Sequence, residues 1–260
     1  MSAKFFSLEK KLSSQLAKLK KEFGLFAVKA EFEAEGSSFR DLLWLRRLTA
    51  KENIPLFLKI GGVEALRDIK DALDLGVDGL ISPMVESPFG VVKFIGAIES
   101  VYGRQKIFKS INIESCEAVR QVDEILKVAR GKIDNVTIGR TDLSQSYFNS
   151  KIEPDSSFIL ELIEELSYKI TSNSLGLTLG GSVTSKSIRL FTKYHKMIKA
   201  RISSIETRKI VLASEKMLSK KNTLKEALRF EEYYLDFKLE REAWLSKPER
   251  ERLAKLKERL

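Results

Sequence analysis

The stretch Val136-Thr137-Ile138-Gly139-Arg140-Thr141-Asp142-Leu143-Ser144 decides the fold of this chain. It begins as an apolar, β-branched run, which is typical of a buried parallel strand, and then passes through a carboxylate into a helical pattern. The earlier stretch Ile111-Asn112-Ile113-Glu114-Ser115 has the same design. In a barrel of alternating strands and helices, the C-terminal strand ends open onto one face, and that face carries the chemistry. Glu114 and Asp142 are therefore predicted to share one mouth.

Two carboxylates at one mouth can be explained in two ways. They suit a hard divalent cation that keeps coordination positions open for water and substrate. Alternatively, they are two solvated acids that precede helices, with Asp142 acting as a helix N-cap. Spacing alone leaves both interpretations open.

Strand-like and helix-like segments alternate along the rest of the chain. Strands are predicted at residues 25–32, 56–60, 79–85, 106–113, 134–138, 175–179 and near 197–203. A run of βα units implies an all-parallel sheet, and so many units favour an α/β fold closed into a TIM-type (β/α)8-like barrel. The eighth strand either lies within 205–212 or the barrel is irregular.

The two ends of the chain read as helical additions to the barrel. We expect an N-terminal helix in 1–24, the barrel in 25–214 and a charged C-terminal helical extension in 215–260. The extension carries a broad apolar stripe, which needs a surface to cover. That surface is either the protein's own barrel or a neighbouring subunit, and we expect a subunit boundary. The residues that define the stripe are Phe230, Tyr233, Tyr234, Phe237 and Trp244.

Composition indicates a single cytoplasmic domain. The chain has 260 residues, of which 43% are hydrophobic, and α/β barrels commonly reach this length as one unit. No apolar run is long enough to span a membrane, and the N-terminus lacks the pattern of a secretory signal. The single cysteine, Cys116, cannot form an internal disulfide, which fits a reducing compartment.

The net charge is +10, and its simplest explanation is a lysine-rich solvated exterior. A basic surface can also attract nucleic acid or other polyanions. Because no nucleic-acid-binding motif accompanies the charge, we expect no nucleic-acid partner. A polyanion-binding protein is the interpretation that rests on charge alone.

Three motifs follow one another along the chain: ALDLGVDGLISPMVES at 72–87, NIES at 112–115 and IGRTDLS at 138–144. Taken in this order, they resemble the HpcH/HpaI aldolase and citrate lyase β-subunit family. The resemblance covers about residues 25–205 and implies a metal-dependent barrel that makes or breaks carbon–carbon bonds.

The resemblance also implies roles for individual residues. Glu114 and Asp142 occupy the positions that bind Mg²⁺ or Mn²⁺ in the family, where the metal chelates a pyruvate-like substrate. Backbone amides of the turn through Gly139, Arg140 and Thr141 would hold the substrate carboxylate, as at a helix start. The implied activity proceeds through the enolate of a small anionic substrate, either a 2-oxo acid or an acyl-CoA thioester. Family members often exchange their last helix, which implies a homo-oligomer joined through the C-terminal helices.

The chain departs from the family at several positions. Lys59 stands where the family has an arginine, which keeps a positive charge beside an enolate but loses the bidentate fork. Asn112 replaces a glutamine, and we expect it to contact substrate or metal-bound water. The family's aspartate–histidine pair after the first strand is missing, and His195 is expected to be an ordinary surface histidine at the other end of the barrel. These departures support the alternative of a barrel that binds, scaffolds or acts on a different substrate.

Two further groups of polar residues are candidates for the site. Lys29, Glu31 and Glu33 alternate along the first strand and so share one face. If that face points inward, Lys29 and Glu31 can pair and Glu33 is left at the mouth as a base; otherwise the face is solvated. Arg208, after the last strand, either grips a substrate carboxylate or phosphate or caps a helix.

Overall fold

Eight strands form a closed barrel in the computed structural model, which describes residues 3–194 and 201–260. The strands follow one another around the barrel in sequence order. They are β1 (Leu25–Glu31), β2 (Leu56–Lys59), β3 (Gly79–Ser82), β4 (Phe108–Ile113), β5 (Asn135–Gly139), β6 (Gly176–Gly180), β7 (Ser204–Glu206) and β8 (Ile210–Ala213). The expected TIM-type α/β barrel is thereby confirmed.

The described helices surround this barrel. In chain order they are α1 (Ala3–Phe23), α2 (Phe39–Lys51), α3 (Leu66–Leu75), α4 (Pro88–Tyr102), α5 (Cys116–Arg120), α6 (Val122–Ala129), α7 (Arg140–Gln145), α8 (Ser157–Ser172), α9 (Ser185–Tyr194), α10 (Ser214–Ser219), α11 (Thr223–Leu245) and α12 (Lys247–Lys257). His195 lies outside the described residues, as does part of the segment predicted as the seventh strand.

The last strand corrects the expectation of an all-parallel sheet. Strands β1 to β7 pair in parallel, but β8 runs antiparallel to both β7 and β1. Only residues 207–209 separate β7 from β8, so the pair forms a hairpin, which needs no crossover helix. The barrel is irregular at this hairpin, whose loop lies at the mouth where β1 to β7 end.

The barrel interior is polar. Ser110, Asn135, Thr137 and Thr178 form a chain of side-chain hydrogen bonds between β4, β5 and β6, and Ser204 of β7 extends it. Apolar side chains instead lie between the strands and the outer helices, where they form the main hydrophobic core. The opposite end of the barrel is closed by aromatic rings, with Phe57 and Phe108 stacked at 4.6 Å between centroids.

Helix α11 packs on the protein's own α1 and α2, which corrects the expected subunit boundary for part of the apolar stripe. Phe230, Tyr234 and Phe237 are buried, and the ring of Phe237 stacks on Trp44 of α2 with 3.6 Å between centroids. Gln15 of α1 donates a hydrogen bond to the backbone oxygen of Glu226. The two end segments thus lie against each other on the barrel, while Trp244 remains exposed.

None of the helices in the described part of the chain is long and apolar enough to cross a membrane.

Candidate active site

A cavity of about 400 Å³ opens at the mouth formed by the C-terminal ends of β1 to β7. This is the end of the barrel that carries the chemistry in folds of this kind. The sequence-predicted residues that line the cavity are Lys59, Asn112, Glu114, Gly139, Thr141, Asp142 and Arg208, and further lining residues include Lys29, Glu31, Glu206, Leu228 and Glu231.

Glu114 is held at the centre of this site. It follows β4, is 3% exposed, and accepts hydrogen bonds at 3.0 Å from the backbone N–H of Met84 and from Nδ2 of Asn112. A Cβ atom on Gly139 would lie only 2.5 Å from its Oε2, so a glycine is needed on β5 beside it. Burial raises the pKa of Glu114, and the positive charge of Lys59 opposes this shift.

Asp142 lies in the first turn of α7 and is exposed at the same mouth. Its negative charge adds to the rise of the pKa of Glu114. Among the described residues, neither Glu114 nor Asp142 has an ion-pair partner within 4.0 Å. Neither carboxylate is therefore neutralised by an ion pair within the described part of the chain.

A chain of alternating charges crosses one side of the cavity floor. Lys29 Nζ lies 2.5 Å from Oε1 of Glu206 and 3.6 Å from Oε1 of Glu31, and Lys59 Nζ lies 3.7 Å from Oε2 of Glu31. Burial alone would lower the pKa of Lys29, but Glu206 and Glu31 raise it above its ordinary value. The ammonium is therefore held charged inside the barrel. Of the three residues that alternate on the first strand, Lys29 and Glu31 point inward.

Gly139 and Thr141 of the turn after β5 line the cavity, whereas the side chain of Arg140 points away from it. Arg140 is fully buried, donates to the backbone oxygens of Gly180 and Gly181, and pairs with Asp155. Its guanidinium thus ties the turn to the loop after β6. The predicted role of the backbone amides of Gly139, Arg140 and Thr141 in holding substrate stays a prediction.

The remaining predicted residues lie in different places. Glu33 is exposed beyond the end of β1, beside Gly61, and is not among the residues that line the cavity. Its predicted role as a base stays a prediction without support from its position. Arg208 is exposed in the β7–β8 loop and lines the cavity, and no carboxylate of the described residues pairs with it within 4.0 Å.

Glu206 and Glu231 are cavity residues to which the sequence reasoning gave no role. Glu206 ends β7, and Glu231 lies on α11 beside the buried Phe230. Glu231 could have been noticed as an acid bordering the apolar stripe. Its position at the mouth depends on how α11 packs, which the stripe alone does not reveal.

The charges and polar atoms of the cavity fit a cation. Three cationic side chains and five carboxylates line it, a formal charge of −2 within a protein of net charge +10. In addition, Oδ1 of Asn112 is buried without a hydrogen-bond partner beside Glu114. Carboxylate and amide oxygens are the ligands of hard divalent cations. In the described part of the chain no cluster of three or more His, Cys, Asp or Glu side chains is arranged to hold a metal, so a cation here would keep most of its positions for water and substrate.

The fold and the site define a TIM-type barrel with an acidic cavity at the C-terminal strand ends. Residues 46–155, which carry Lys59, Asn112, Glu114 and Asp142, match the family model described as HpcH/HpaI aldolase/citrate lyase. The resemblance to this family is thereby confirmed over that stretch.

Solved structures support the same assignment of fold. The chain is 16% identical to an HpcH/HpaI aldolase from Desulfitobacterium hafniense DCB-2, with a TM-score of 0.59 over 75% of this chain and 82% of that one. An HpcH/HpaI aldolase/citrate lyase family protein from Burkholderia cenocepacia J2315 gives 16% identity and a TM-score of 0.58, over 86% and 98%. A variant of the citrate synthase SbnG gives 18% identity and a TM-score of 0.56, over 78% and 81%. No curated protein matches the chain.

Proposed function

We propose that this protein is a divalent-metal-dependent carbon–carbon lyase or aldolase that acts through the enolate of a small 2-oxo acid or an acyl-CoA thioester. The observation that carries the proposal is the acidic excess of the cavity together with two carboxylates, Glu114 and Asp142, that have no ion-pair partner among the described residues. A cavity with a formal charge of −2 would repel an anionic substrate, whereas a divalent cation offsets that charge.

Glu114 and Asp142 would hold Mg²⁺ or Mn²⁺. When bound, the cation supplies a Lewis acid that stabilises negative charge on a substrate oxygen. Asn112 supports this arrangement, because its Nδ2 orients Glu114 and its Oδ1 is free to accept a hydrogen bond from water or substrate.

The other lining residues would bind and stabilise the substrate. Lys59 places a half-buried ammonium at the mouth, where a positive charge lowers the energy of an enolate, and Glu31 holds it there. Backbone amides of the turn from Gly139 to Thr141 would bind the substrate carboxylate, and Arg208 would bind a second carboxylate or a phosphate.

The proposed enzyme is a cytoplasmic homo-oligomer. The lone Cys116 is a free thiol, which supports a cytoplasmic location. A homo-oligomer joined through the C-terminal helices is supported by Leu235, Leu239, Trp244 and Leu245, which remain exposed on α11.

A non-catalytic barrel of the same family is the second candidate. It is favoured by the absence of the aspartate–histidine pair after β1, where the chain has Glu33 and Glu35 instead. Such a protein would bind Mn²⁺ and oxalate without labilising any substrate proton.

Deuterium incorporation into the methyl group of pyruvate, followed by NMR in D₂O with Mg²⁺, separates the two candidates. The parent protein should accelerate exchange over Mg²⁺ alone, and a chelator or Glu114→Gln should abolish the acceleration. Glu117→Gln, on the exposed face of α5, is the matched control and should behave as the parent. No exchange above metal alone would reject pyruvate as the enolate donor and favour the second candidate.

A further inference from the structure

The five carboxylates of the cavity differ in what they contact. Glu31 and Glu206 pair with Lys29, and Glu114 and Asp142 are the proposed metal ligands. Glu231 is the fifth, and within the described residues its carboxylate has neither an ion-pair nor a hydrogen-bond partner. It is therefore the one lining carboxylate of the described chain that no other role occupies.

The position of Glu231 is fixed by the packing of α11. On one side of it, Phe230 and Tyr234 are buried in the core. Lys209 of the β7–β8 loop lies with its Nζ 4.3 Å from the centroid of the Tyr234 ring and pairs with Glu35 of the loop after β1. These contacts join α11 to the β8–β1 side of the mouth.

That side faces the proposed metal ligands across the cavity. The closed strand order places β8 and β1 opposite β4 and β5, whose ends carry Glu114 and Asp142. A 2-oxo acid bound near Glu114 and Asp142 would therefore leave the space towards Glu231 for the second reactant.

We propose that Glu231 is the proton-transfer group for the carbonyl of that second reactant, an inference that rests on the proposed function. In the direction of condensation, the enolate carbon bonds to the carbonyl carbon of the acceptor, and the electron pair of the C=O π bond moves onto its oxygen. That oxygen takes the proton of the Glu231 carboxylic acid, which becomes a carboxylate and regains a proton from solvent. In cleavage, the Glu231 carboxylate removes the hydroxyl proton and the carbon–carbon bond pair returns to the enolate.

The surroundings of Glu231 suit an acid. Burial raises the pKa of Glu231, Glu35 adds to the rise, and the charges of Arg208, Lys209 and Lys29 oppose it. The protonated form therefore persists to higher pH than for an ordinary glutamate. Condensation should fall as the pH rises through this pKa, because the acid is lost, and cleavage should rise over the same interval.

The test uses the full chain with Mg²⁺, pyruvate and glyoxylate, and it follows two reactions. One is deuterium exchange at the pyruvate methyl group, and the other is formation of the condensation product. Glu231→Gln should slow condensation by about 10²-fold or more, the scale of losing a general acid. It should also abolish the fall in condensation rate with rising pH. Exchange should stay near the parental rate, because the enolate forms on the other side of the cavity.

Two matched variants complete the experiment. Glu231→Asp should retain part of the condensation rate and keep its fall with rising pH, because a proton donor remains. Glu232→Gln, on the exposed face of α11, should behave as the parent in both reactions.

Three results would overturn the inference. They are parental condensation in Glu231→Gln, equal loss of exchange and condensation in that variant, and a parent that exchanges pyruvate protons but does not condense pyruvate with glyoxylate. A parent that shows no exchange would instead reject pyruvate as the enolate donor and so count against the proposed function on which the inference rests, which makes the two failures distinguishable.

Discussion

At the scale of single residues, Lys59 is where this chain departs from the family it resembles and still keeps a charge. Its ammonium lies at the edge of the cavity, 3.7 Å from Glu31, and acts on Glu114 through space. A lysine is a compact point charge, so it can stabilise an enolate without the two parallel hydrogen bonds that an arginine forms.

Lys59→Met should therefore slow deuterium exchange into pyruvate by about 10²-fold or more, because one electrostatic stabiliser is lost. Lys59→Arg should retain part of the rate. NMR of both variants with Mg²⁺ measures this, and calorimetric titration with Mn²⁺ serves as the control for an intact metal site. Equal exchange rates in Lys59→Met and the parent would make Lys59 a structural residue.

Met84 positions Glu114 through its backbone. It has φ of +50°, a conformation that non-glycine residues adopt at a cost, and its N–H donates to Oε1 of Glu114. Glycine has no such cost, whereas a β-branched residue has the highest.

We expect Met84→Gly to keep Mn²⁺ affinity and thermal stability, and Met84→Val to lose about 1–3 kcal/mol of stability, the range for residues held in rare backbone conformations. The valine variant should also bind Mn²⁺ more weakly, because the loop can relax only by moving its N–H away from Glu114. Thermal unfolding and Mn²⁺ titration of the two variants test this. The reverse order of stability would show that the loop is not strained.

At the scale of elements, the strands whose direction the sequence could indicate are those separated by helices. Each of β1 to β6 is a strand-like run followed by a helical pattern, which dictates parallel pairing. Ile210–Ala213 is a four-residue apolar run with no helix before it, and nothing in such a run specifies direction. Its antiparallel pairing depends on the short loop after β7, which the sequence reasoning did not treat as a hairpin.

The same limit applies to side chains at the site. The position of Glu114 and Asp142 at one mouth could be predicted because the ends of parallel strands share a face. The shared face of Lys29 and Glu31 could be predicted because alternation along a strand is a local pattern. The burial of Arg140 could not be predicted, because it depends on carbonyl oxygens of the loop after β6, some forty residues further along the chain. Glu231 was missed for the same reason, since its place depends on long-range packing of α11.

The β7–β8 loop is fastened to the loop after β1 by a buried ion pair between Lys209 and Glu35. Burial lowers the pKa of Lys209, and Glu35 opposes the shift. The other carboxylate oxygen of Glu35, Oε1, is buried without a partner. Removing one member of such a pair leaves an uncompensated buried charge.

Lys209→Met should therefore destabilise the protein by about 3–5 kcal/mol, and the double variant Glu35→Gln with Lys209→Met should recover most of that loss. Chemical denaturation of the parent and three variants gives the coupling between the two sites. Additive effects of the single changes would show that the pair is not coupled in the folded protein.

At the scale of the whole molecule, α11 serves both the barrel and the surface. Its buried aromatic face covers α1 and α2, while Leu235, Leu239, Trp244 and Leu245 stay exposed. A chain ending at Ser219 would uncover α1 and α2, so it would aggregate whether or not the native protein self-associates. Substitutions on the exposed face are the cleaner test of assembly.

We predict that Leu239→Glu combined with Leu245→Glu reduces the oligomer to a smaller species without loss of helical content, because both side chains are exposed in the single chain and would face a partner. Light scattering with circular dichroism measures both properties. Lys225→Glu, also on α11 but within neither apolar face, is the control. Unchanged mass in the double variant would place any self-association elsewhere.

The central claim is that Glu114 and Asp142 hold a divalent cation on which a 2-oxo acid binds. A crystal structure with Mn²⁺ and oxalate, an analogue of the enolate of pyruvate, tests it most directly. The account predicts anomalous density for manganese in contact with both carboxylates, with oxalate completing its coordination beside Lys59. Manganese absent from the cavity, or oxalate bound by Lys59 or Arg208 with no metal between Glu114 and Asp142, would contradict it.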